Sequence, residues 1–165
     1  YTGEDTLSLH DALPIYGHQH IHQFPVIREA LLHTLSHRYG SQAPWLRWSR
    51  VVVTQSASWS ERLKASVIDA WGAHALAQRA QACALRLRGP LLGVYDFDPT
   101  PGVFAAHMEQ WLQASVQSPS AVLMVHPALV ADADDAIGAA RVHEWEFLSG
   151  AQWPDLAQRY GVACG

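Results

Sequence analysis

Three histidines that alternate along a short segment are the strongest chemical signal in the sequence. His18, His20 and His22 stand two residues apart, a spacing that places side chains on one face of a β-strand. Imidazoles are common ligands for zinc and similar divalent ions. Three histidines of one strand do not all reach one ion easily, so we expect one or two to bind metal and the others to orient them. The alternation therefore predicts a metal-binding strand, although a solvated edge strand would show the same pattern.

Two further residues stand at the predicted ends of strands, where parallel α/β folds collect their chemistry. His126 follows an apolar run and precedes Pro127, which suits a general acid or base, while a histidine bonded to a loop carbonyl would look the same. Arg47 suits either a clamp on a substrate oxygen or a surface ion pair. Trp45 and Trp48 flank it and are candidates for stacking on a sugar ring.

The remaining charged candidates are expected to be structural. Asp96 and Asp98 lie beside a proline-containing turn, where carboxylates usually cap the backbone. Arg141 and Glu144 are one helical turn apart and resemble an ordinary intrahelical pair. We therefore assign none of these four residues a catalytic role.

Strands and helices are expected to alternate along the chain. Helical spacing predicts helices at residues 25–39, 103–117, 136–148 and 154–160, and a capping box at residues 58–61 begins an Ala-rich helical run to about residue 87 with a break near Gly72. Apolar, β-branched and aromatic residues predict strands at 45–53, 91–97 and 121–125. Such alternation is typical of a parallel sheet with right-handed crossovers, either a (β/α) barrel or a doubly wound sheet.

Composition places the chain among globular proteins and removes several classes of function. Hydrophobic residues make up 49% of the chain and charged residues 16%, which is too little charge for disorder. With 11 basic and 15 acidic residues, the chain offers no basic surface for nucleic acid. No apolar run reaches the roughly 18 residues of a membrane span. Its two cysteines, Cys83 and Cys164, have no CxxC spacing, so a reducing cytoplasm fits best.

The first fifteen residues are expected to be foreign to the protein. Residues 6–15, TLSLHDALPI, are the translation of ACT CTT TCC CTA CAC GAC GCT CTT CCG ATC, a common sequencing adapter, and residues 1–5 fit its indexed upstream part. The last adapter base becomes the first base of codon 16, so Tyr16 is expected to stand for a genomic aspartate. We therefore expect residues 16–165 to be a truncated domain of a longer parent protein; the alternative is a natural amphipathic leader.

Four motifs, in this order, resemble the YdjC-like carbohydrate deacetylases. They are YGHQHIHQFP at 16–25, WLR at 45–47, LGVYDF at 92–97 and LMVHPA at 123–128. The GVYDF segment and the residues from 141 to 148 are most similar to the branch associated with hopanoid biosynthesis. The family has aspartate where Tyr16 stands, which the adapter explains. It usually has cysteine where Val125 stands, a position expected only to pack.

The resemblance implies an irregular (β/α) barrel that removes an acetyl group from an N-acetylated sugar or glycolipid with one divalent ion, Mg²⁺ or Zn²⁺. By this resemblance His18 is a metal ligand and His126 protonates the amine leaving group, while His20 and His22 face the substrate or support the ligand. Arg47 is the expected clamp on the substrate. The other metal ligands of the family are absent from this sequence, so we expect the 165-residue chain to bind metal weakly and to lack useful activity, and the parent protein to be active.

Two other classes of function stay open. An amidohydrolase or a PHP-type phosphoesterase also uses closely spaced histidines, but it needs more ligands at later strand ends than His126, Asp96 and Asp98 supply. A non-catalytic His-rich metal-binding module would bind metal without depending on Arg47 or His126. The acetylated substrate, an N-acetylglucosaminyl lipid or a chito-oligosaccharide, and homodimer formation are left open as well.

Overall fold

The computed structural model of the protein describes residues 18–54 and 57–162, with side chains from His20 onward. Its helices and strands are α1 (Pro25–Tyr39), β1 (Leu46–Arg47), α2 (Trp59–Ala70), α3 (Ala73–Ala82), β2 (Leu87–Arg88), β3 (Leu91–Leu92), α4 (Val103–Val116), β4 (Val122–Leu123), α5 (Gly138–Ser149) and α6 (Gln152–Arg159). Two short 3-10 helices, His18–Gln23 and Gly40–Gln42, precede and follow α1. None of the helices in the described ranges is long and apolar enough to cross a membrane.

The chain divides into two compact units. The first consists of the residues up to Arg50 together with Val67–Gly89, and the second consists of Val51–Ser66 together with the residues from Pro90 onward. Helix α2 contributes residues to both units. His20, His22 and Arg47 therefore belong to the first unit, and His126 belongs to the second.

Each unit contains one pair of short parallel strands. In the first unit β1 pairs with β2, and in the second β3 pairs with β4. Parallel pairs separated by helices confirm the predicted α/β class. The strands are much shorter than predicted: the run at 45–53 is a strand only in β1, and Val51 adds a single bridge to Leu91. After β3 the chain leaves the ladder at Gly93, whose φ of 92° and close approach to the Met124 carbonyl leave no room for a Cβ.

Apolar residues of α1, α3 and β1 form the core of the first unit. Helix α1 begins at Pro25, which suits a first helical turn because proline lacks an N–H that would be unpaired there. It ends at Tyr39, where Gly40 adopts a φ of 53° and donates its N–H to the Ser36 carbonyl. The helix predicted at 25–39 is confirmed. The core residues are Leu32, Leu35, Ala43, Leu46, Leu76, Ala80 and Leu85.

The core of the second unit is built around one face of α4. Phe104, Met108, Trp111 and Leu112 recur at helical spacing and are all buried, as the apolar stripe predicts. They pack with Tyr95 and with β3. Burial of each large side chain contributes about 2 kcal/mol, so this stripe anchors α4 and the segment that leads from β3.

The histidine segment is a 3-10 helix, which corrects the predicted strand. A strand needs backbone partners on a neighbouring strand, whereas here Phe24 N–H donates locally to the Ile21 carbonyl over 3.1 Å. His20 adopts a φ of 64°, which lies in the left-handed region and outside that of a strand. His20 and His22 are nevertheless both buried while Ile21 is exposed. The alternation thus indicates which side chains are buried, but it does not determine the backbone conformation.

The Ala-rich helical run forms two helices and ends earlier than predicted. The predicted break falls at Gly72, where a Cβ would lie 2.7 Å from the Gln23 carbonyl oxygen, so only glycine fits. Helix α3 ends at Ala82 and not near Leu87. Ala84, with a φ of 55°, lies outside the helical region. Leu87 of β2 pairs with Leu46, because tertiary pairing overrides the helix propensity of leucine.

Candidate active-site clusters

His22 is bonded to the backbone of the strand that carries Arg47. Its Nε2 lies 3.0 Å from the Arg47 carbonyl oxygen, and because a carbonyl only accepts, Nε2 must carry the proton. The Ser49 hydroxyl lies 3.4 Å from the same nitrogen. The 3-10 helix and β1 are therefore joined through a side chain, and Ser49 is a member of this cluster that the sequence did not reveal.

The Arg47 side chain reaches His20. Its Nη2 donates to His20 Nδ1 over 3.5 Å, and since a guanidinium has no acceptor, this nitrogen of His20 is unprotonated. Burial first, and then the neighbouring Arg47 and His22, lower the pKa of His20 to about 4. Burial also lowers the pKa of His22, against the opposing effect of its bond to the Arg47 backbone. His20 is thus neutral near pH 7, in the form that binds metal or donates without charge.

All three predicted substrate-binding residues of the first unit are buried. His20 is 7% exposed, His22 2% and Arg47 6%. His22, with its Nε2 proton engaged by the β1 backbone, is placed to hold that strand. His20 combines a left-handed backbone with a buried imidazole, and such local strain concentrates at functional sites. Contact of these side chains with substrate stays a prediction.

A metal ion would need ligands in addition to the side chains that the structure describes. His18 begins the 3-10 helix, and its side chain lies outside the described residues, so its role as a ligand stays a prediction. Among the residues that are described, no group of three or more His, Cys, Asp or Glu side chains could hold a metal ion. Catalytic zinc sites use three protein ligands. The described side chains therefore do not by themselves fit a complete metal site.

The tryptophans that flank Arg47 are both covered by arginines. Arg50 lies 5.7 Å from the centroid of the Trp48 ring, and Arg88 lies 5.2 Å from that of Trp45, both within cation–π range. Trp48 Nε1 also donates to the Ala73 carbonyl over 3.1 Å. This bond ties Trp48 to the start of α3, and sugar stacking stays a prediction for both Trp45 and Trp48.

In the second unit, α5 holds the backbone of His126. The Glu144 carboxylate accepts a short hydrogen bond from the His126 N–H and another from the Tyr95 hydroxyl over 2.6 Å. Arg141 Nε donates to the His126 carbonyl over 2.9 Å, and its Nη1 donates to Asp135 over 2.6 Å. Arg141 and Glu144 of α5 thus both bind His126, which corrects their interpretation as an ordinary intrahelical pair.

The His126 imidazole lies between Glu144 and an aromatic ring. Its Nδ1 is 3.9 Å from Glu144 Oε1, and its side chain is 33% exposed whereas that of Glu144 is fully buried. The Phe97 ring meets the imidazole edge-on at 5.2 Å, and Phe97 itself has a φ of 56°. Burial and the bond to Glu144 raise the pKa of Tyr95, so its hydroxyl remains a donor. Glu144 and Tyr95 are site residues that sequence reasoning missed.

The aspartates after β3 are structural, as predicted. Asp96 accepts from Lys64 Nζ over 2.6 Å and from the Ser58 hydroxyl over 2.8 Å, and it forms a short bond with Ser60. The bond with Lys64, followed by those with the serines, lowers the pKa of Asp96 to about 2. Asp98 caps its own turn. Asp96 thus ties the start of α2 to the segment after β3.

Comparison with protein families identifies the chain. A family model described as "YdjC-like protein" matches residues 15–159. The chain belongs to the YdjC-like family. This family is of the carbohydrate-deacetylase type, and both clusters of the YdjC-like chain fall within the matched residues. No curated protein and no solved structure matches the chain.

Proposed function

We propose that this YdjC-like chain is part of a metal-dependent hydrolase that removes the acetyl group from an N-acetylated sugar or sugar lipid. Membership of the family supports the acetyl-sugar chemistry. The observation that carries the catalytic assignment is the setting of His126: its backbone is held at both the N–H and the carbonyl, and its imidazole is partly exposed. A fixed backbone with an accessible ring is what a proton donor to substrate needs.

Hydrolysis of the acetyl amide requires a proton at the departing nitrogen. Water adds to the acetyl carbon and releases its two protons to the solvent, the C–N bond breaks, and its electron pair stays on nitrogen. An unprotonated amide nitrogen is a poor leaving group, so protonated His126 gives its proton to that nitrogen as the bond breaks. The products are acetate and the free amino sugar, and the imidazole is left neutral. Proton transfer of this kind contributes about 10²- to 10⁴-fold to a rate.

The remaining predicted groups lie in the first unit. Neutral His20 and the Arg47 guanidinium are the proposed contacts to substrate oxygens. His22 holds the strand that carries Arg47. His18 is the proposed metal ligand, and the ion, Mg²⁺ or Zn²⁺, needs ligands in addition to those described. The family resemblance also supports an irregular (β/α) barrel for the parent protein and a substrate of the N-acetylglucosaminyl lipid type, as in the hopanoid-associated branch.

An acetate-release assay tests this function. The parent protein is stripped of metal, supplied with Mg²⁺ or Zn²⁺, and incubated with N,N′-diacetylchitobiose and with a lipid that carries N-acetylglucosamine. We expect acetate and free amine in equal amounts from at least one substrate, only when metal is present. Release that persists in excess chelator, or no release from either substrate with either ion, would contradict the proposal.

A further inference from the structure

We propose that Glu144 is a positioning residue for His126: its carboxylate fixes the turn that carries the histidine and faces Nδ1, so that the proton of the neutral imidazole lies on Nδ1. This inference rests on the proposed function, in which His126 is the proton donor. It assigns to α5 a part in the reaction beyond packing.

The burial of Glu144 is the first support. The residue is 0% exposed, and an ionised carboxylate is stable in such a place only when hydrogen bonds replace its lost hydration. Two donors do so, the Tyr95 hydroxyl on Oε1 and the His126 N–H on Oε2. A buried carboxylate that costs desolvation and contacts a predicted catalytic histidine is a functional candidate.

The geometry of the imidazole is the second support. Nδ1 lies 3.9 Å from Glu144 Oε1, which is longer than a hydrogen bond but close enough for the carboxylate to favour a proton on that nitrogen. Among the described residues, Arg141 binds the His126 carbonyl and Tyr95 donates to Glu144. Phe97 packs against the ring. In catalytic triads a carboxylate holds the imidazole tautomer in this way.

The chain offers a matched control two residues along the same helix. Glu146 is exposed and its Oε2 lies 3.0 Å from Nδ1 of His143. Both pairs join a glutamate of α5 to the Nδ1 of a histidine, but only Glu144 is buried and only its partner is the proposed proton donor. E144Q and E146Q therefore make the same chemical change at a buried and at an exposed histidine–carboxylate pair.

Nitrogen NMR of the imidazoles tests the inference without turnover. The ¹⁵N-labelled 165-residue chain is compared with E144Q and E146Q at a pH where the histidines are neutral. We expect His126 of the unsubstituted chain to be mainly the Nδ1–H tautomer. In E144Q that tautomer should lose at least about half of its population, and the His126 amide proton should move upfield because its charged acceptor is gone. E146Q should change His143 alone.

Two results would overturn the inference. One is a His126 signal that is the same in E144Q as in the unsubstituted chain. The other is an Nε2–H tautomer in the unsubstituted chain, and this measurement holds even if E144Q does not fold.

Steady-state kinetics of the parent protein provide a second test of the role of Glu144. E144Q should lower kcat roughly 10- to 100-fold with little change in KM, because misplacing the donor affects the transition state more than binding. E146Q should leave both constants unchanged. An E144Q enzyme with normal kcat would overturn the positioning role. A parent protein with no deacetylase activity but the expected NMR changes would instead overturn the proposed function and leave the Glu144–His126 contact established.

Discussion

His22 donates a hydrogen bond from Nε2 to the backbone carbonyl of Arg47 over 3.0 Å. The bond joins two residues that are 25 positions apart, so it fixes the 3-10 helix against β1. Because the same helix begins at His18, the predicted metal ligand and the predicted substrate clamp share one support. Substitution of His22 should therefore lower the stability of the fold and, as a result, shift His18 and Arg47.

Replacing His22 by alanine should destabilise the chain by about 2–3 kcal/mol. The substitution removes a buried donor from the Arg47 carbonyl and leaves a cavity beside Ser49. Urea unfolding measures the loss as a lower midpoint. The control is His33→Ala on the exposed face of α1, which should change the free energy of unfolding by less than about 0.5 kcal/mol. Equal midpoints for the two variants would show that the His22 bond does not support the fold.

The stability of the second unit should fall as Asp96 becomes protonated. Its pKa is lowered from 3.8 to about 2 by Lys64, Ser60 and Ser58, so the ionised form stabilises the fold. This contribution is present above pH 3.8 and is lost as the pH falls toward 2. Since the group is partly exposed, we expect about 1 kcal/mol at pH 6.

Asp96→Asn tests this pH dependence. The variant should have a lower free energy of unfolding than the unsubstituted chain at pH 5. This difference should become smaller as the pH falls to 2.5. Asp134→Asn, in an exposed loop, should show no such trend. A difference for Asp96→Asn that is constant with pH would mean that the Lys64–Asp96 pair does not act through charge.

Much of the fold could be predicted because its signals are local. The α4 stripe follows from helical spacing, the start of α1 from Pro25, and the capping box from two reciprocal bonds that the structure shows between Ser58 and Glu61. Strand lengths could not be predicted, because they depend on which partner lies alongside. Alternating histidines were equally compatible with a strand and with a 3-10 helix until the bond from His22 to β1 was known.

The candidate site could be predicted only in part, for a related reason. Imidazole chemistry singled out His126 from its place before Pro127. Glu144 was missed because its spacing from Arg141 suggests a local pair, whereas its partners Tyr95 and His126 lie 49 and 18 residues away. Burial of a charge is a tertiary property, and no short pattern in the sequence reports it.

Zinc binding by the chain should be weak and should depend on His18. We expect isothermal titration calorimetry to show low affinity, because one predicted ligand does not make a three-ligand site. His33 and His37 stack on the surface of α1 with ring centroids 5.9 Å apart and are a second zinc-binding candidate. The test therefore starts from a double variant, His33→Ala with His37→Ala. Its zinc affinity is compared before and after His18→Ala is added. Tight binding that survives His18→Ala would contradict the assignment.

Codon 16 of the parent gene should encode aspartate. We propose that residues 1–15 derive from a sequencing adapter whose last base converted that codon to tyrosine. Sequencing the gene through this codon from an independent genomic template is the measurement. A genomic tyrosine codon at position 16, preceded by codons for residues 6–15, would refute the adapter origin.

The rate of acetate release by the parent protein with His126→Ala tests whether His126 is the proton donor. We expect kcat on an N-acetylated sugar to fall about 10²- to 10⁴-fold, with the substrate still bound. His143→Ala, which changes another histidine that is 33% exposed, should retain the unsubstituted rate. A His126→Ala enzyme that releases acetate as fast as the His143→Ala enzyme would contradict the assignment of His126 as the proton donor.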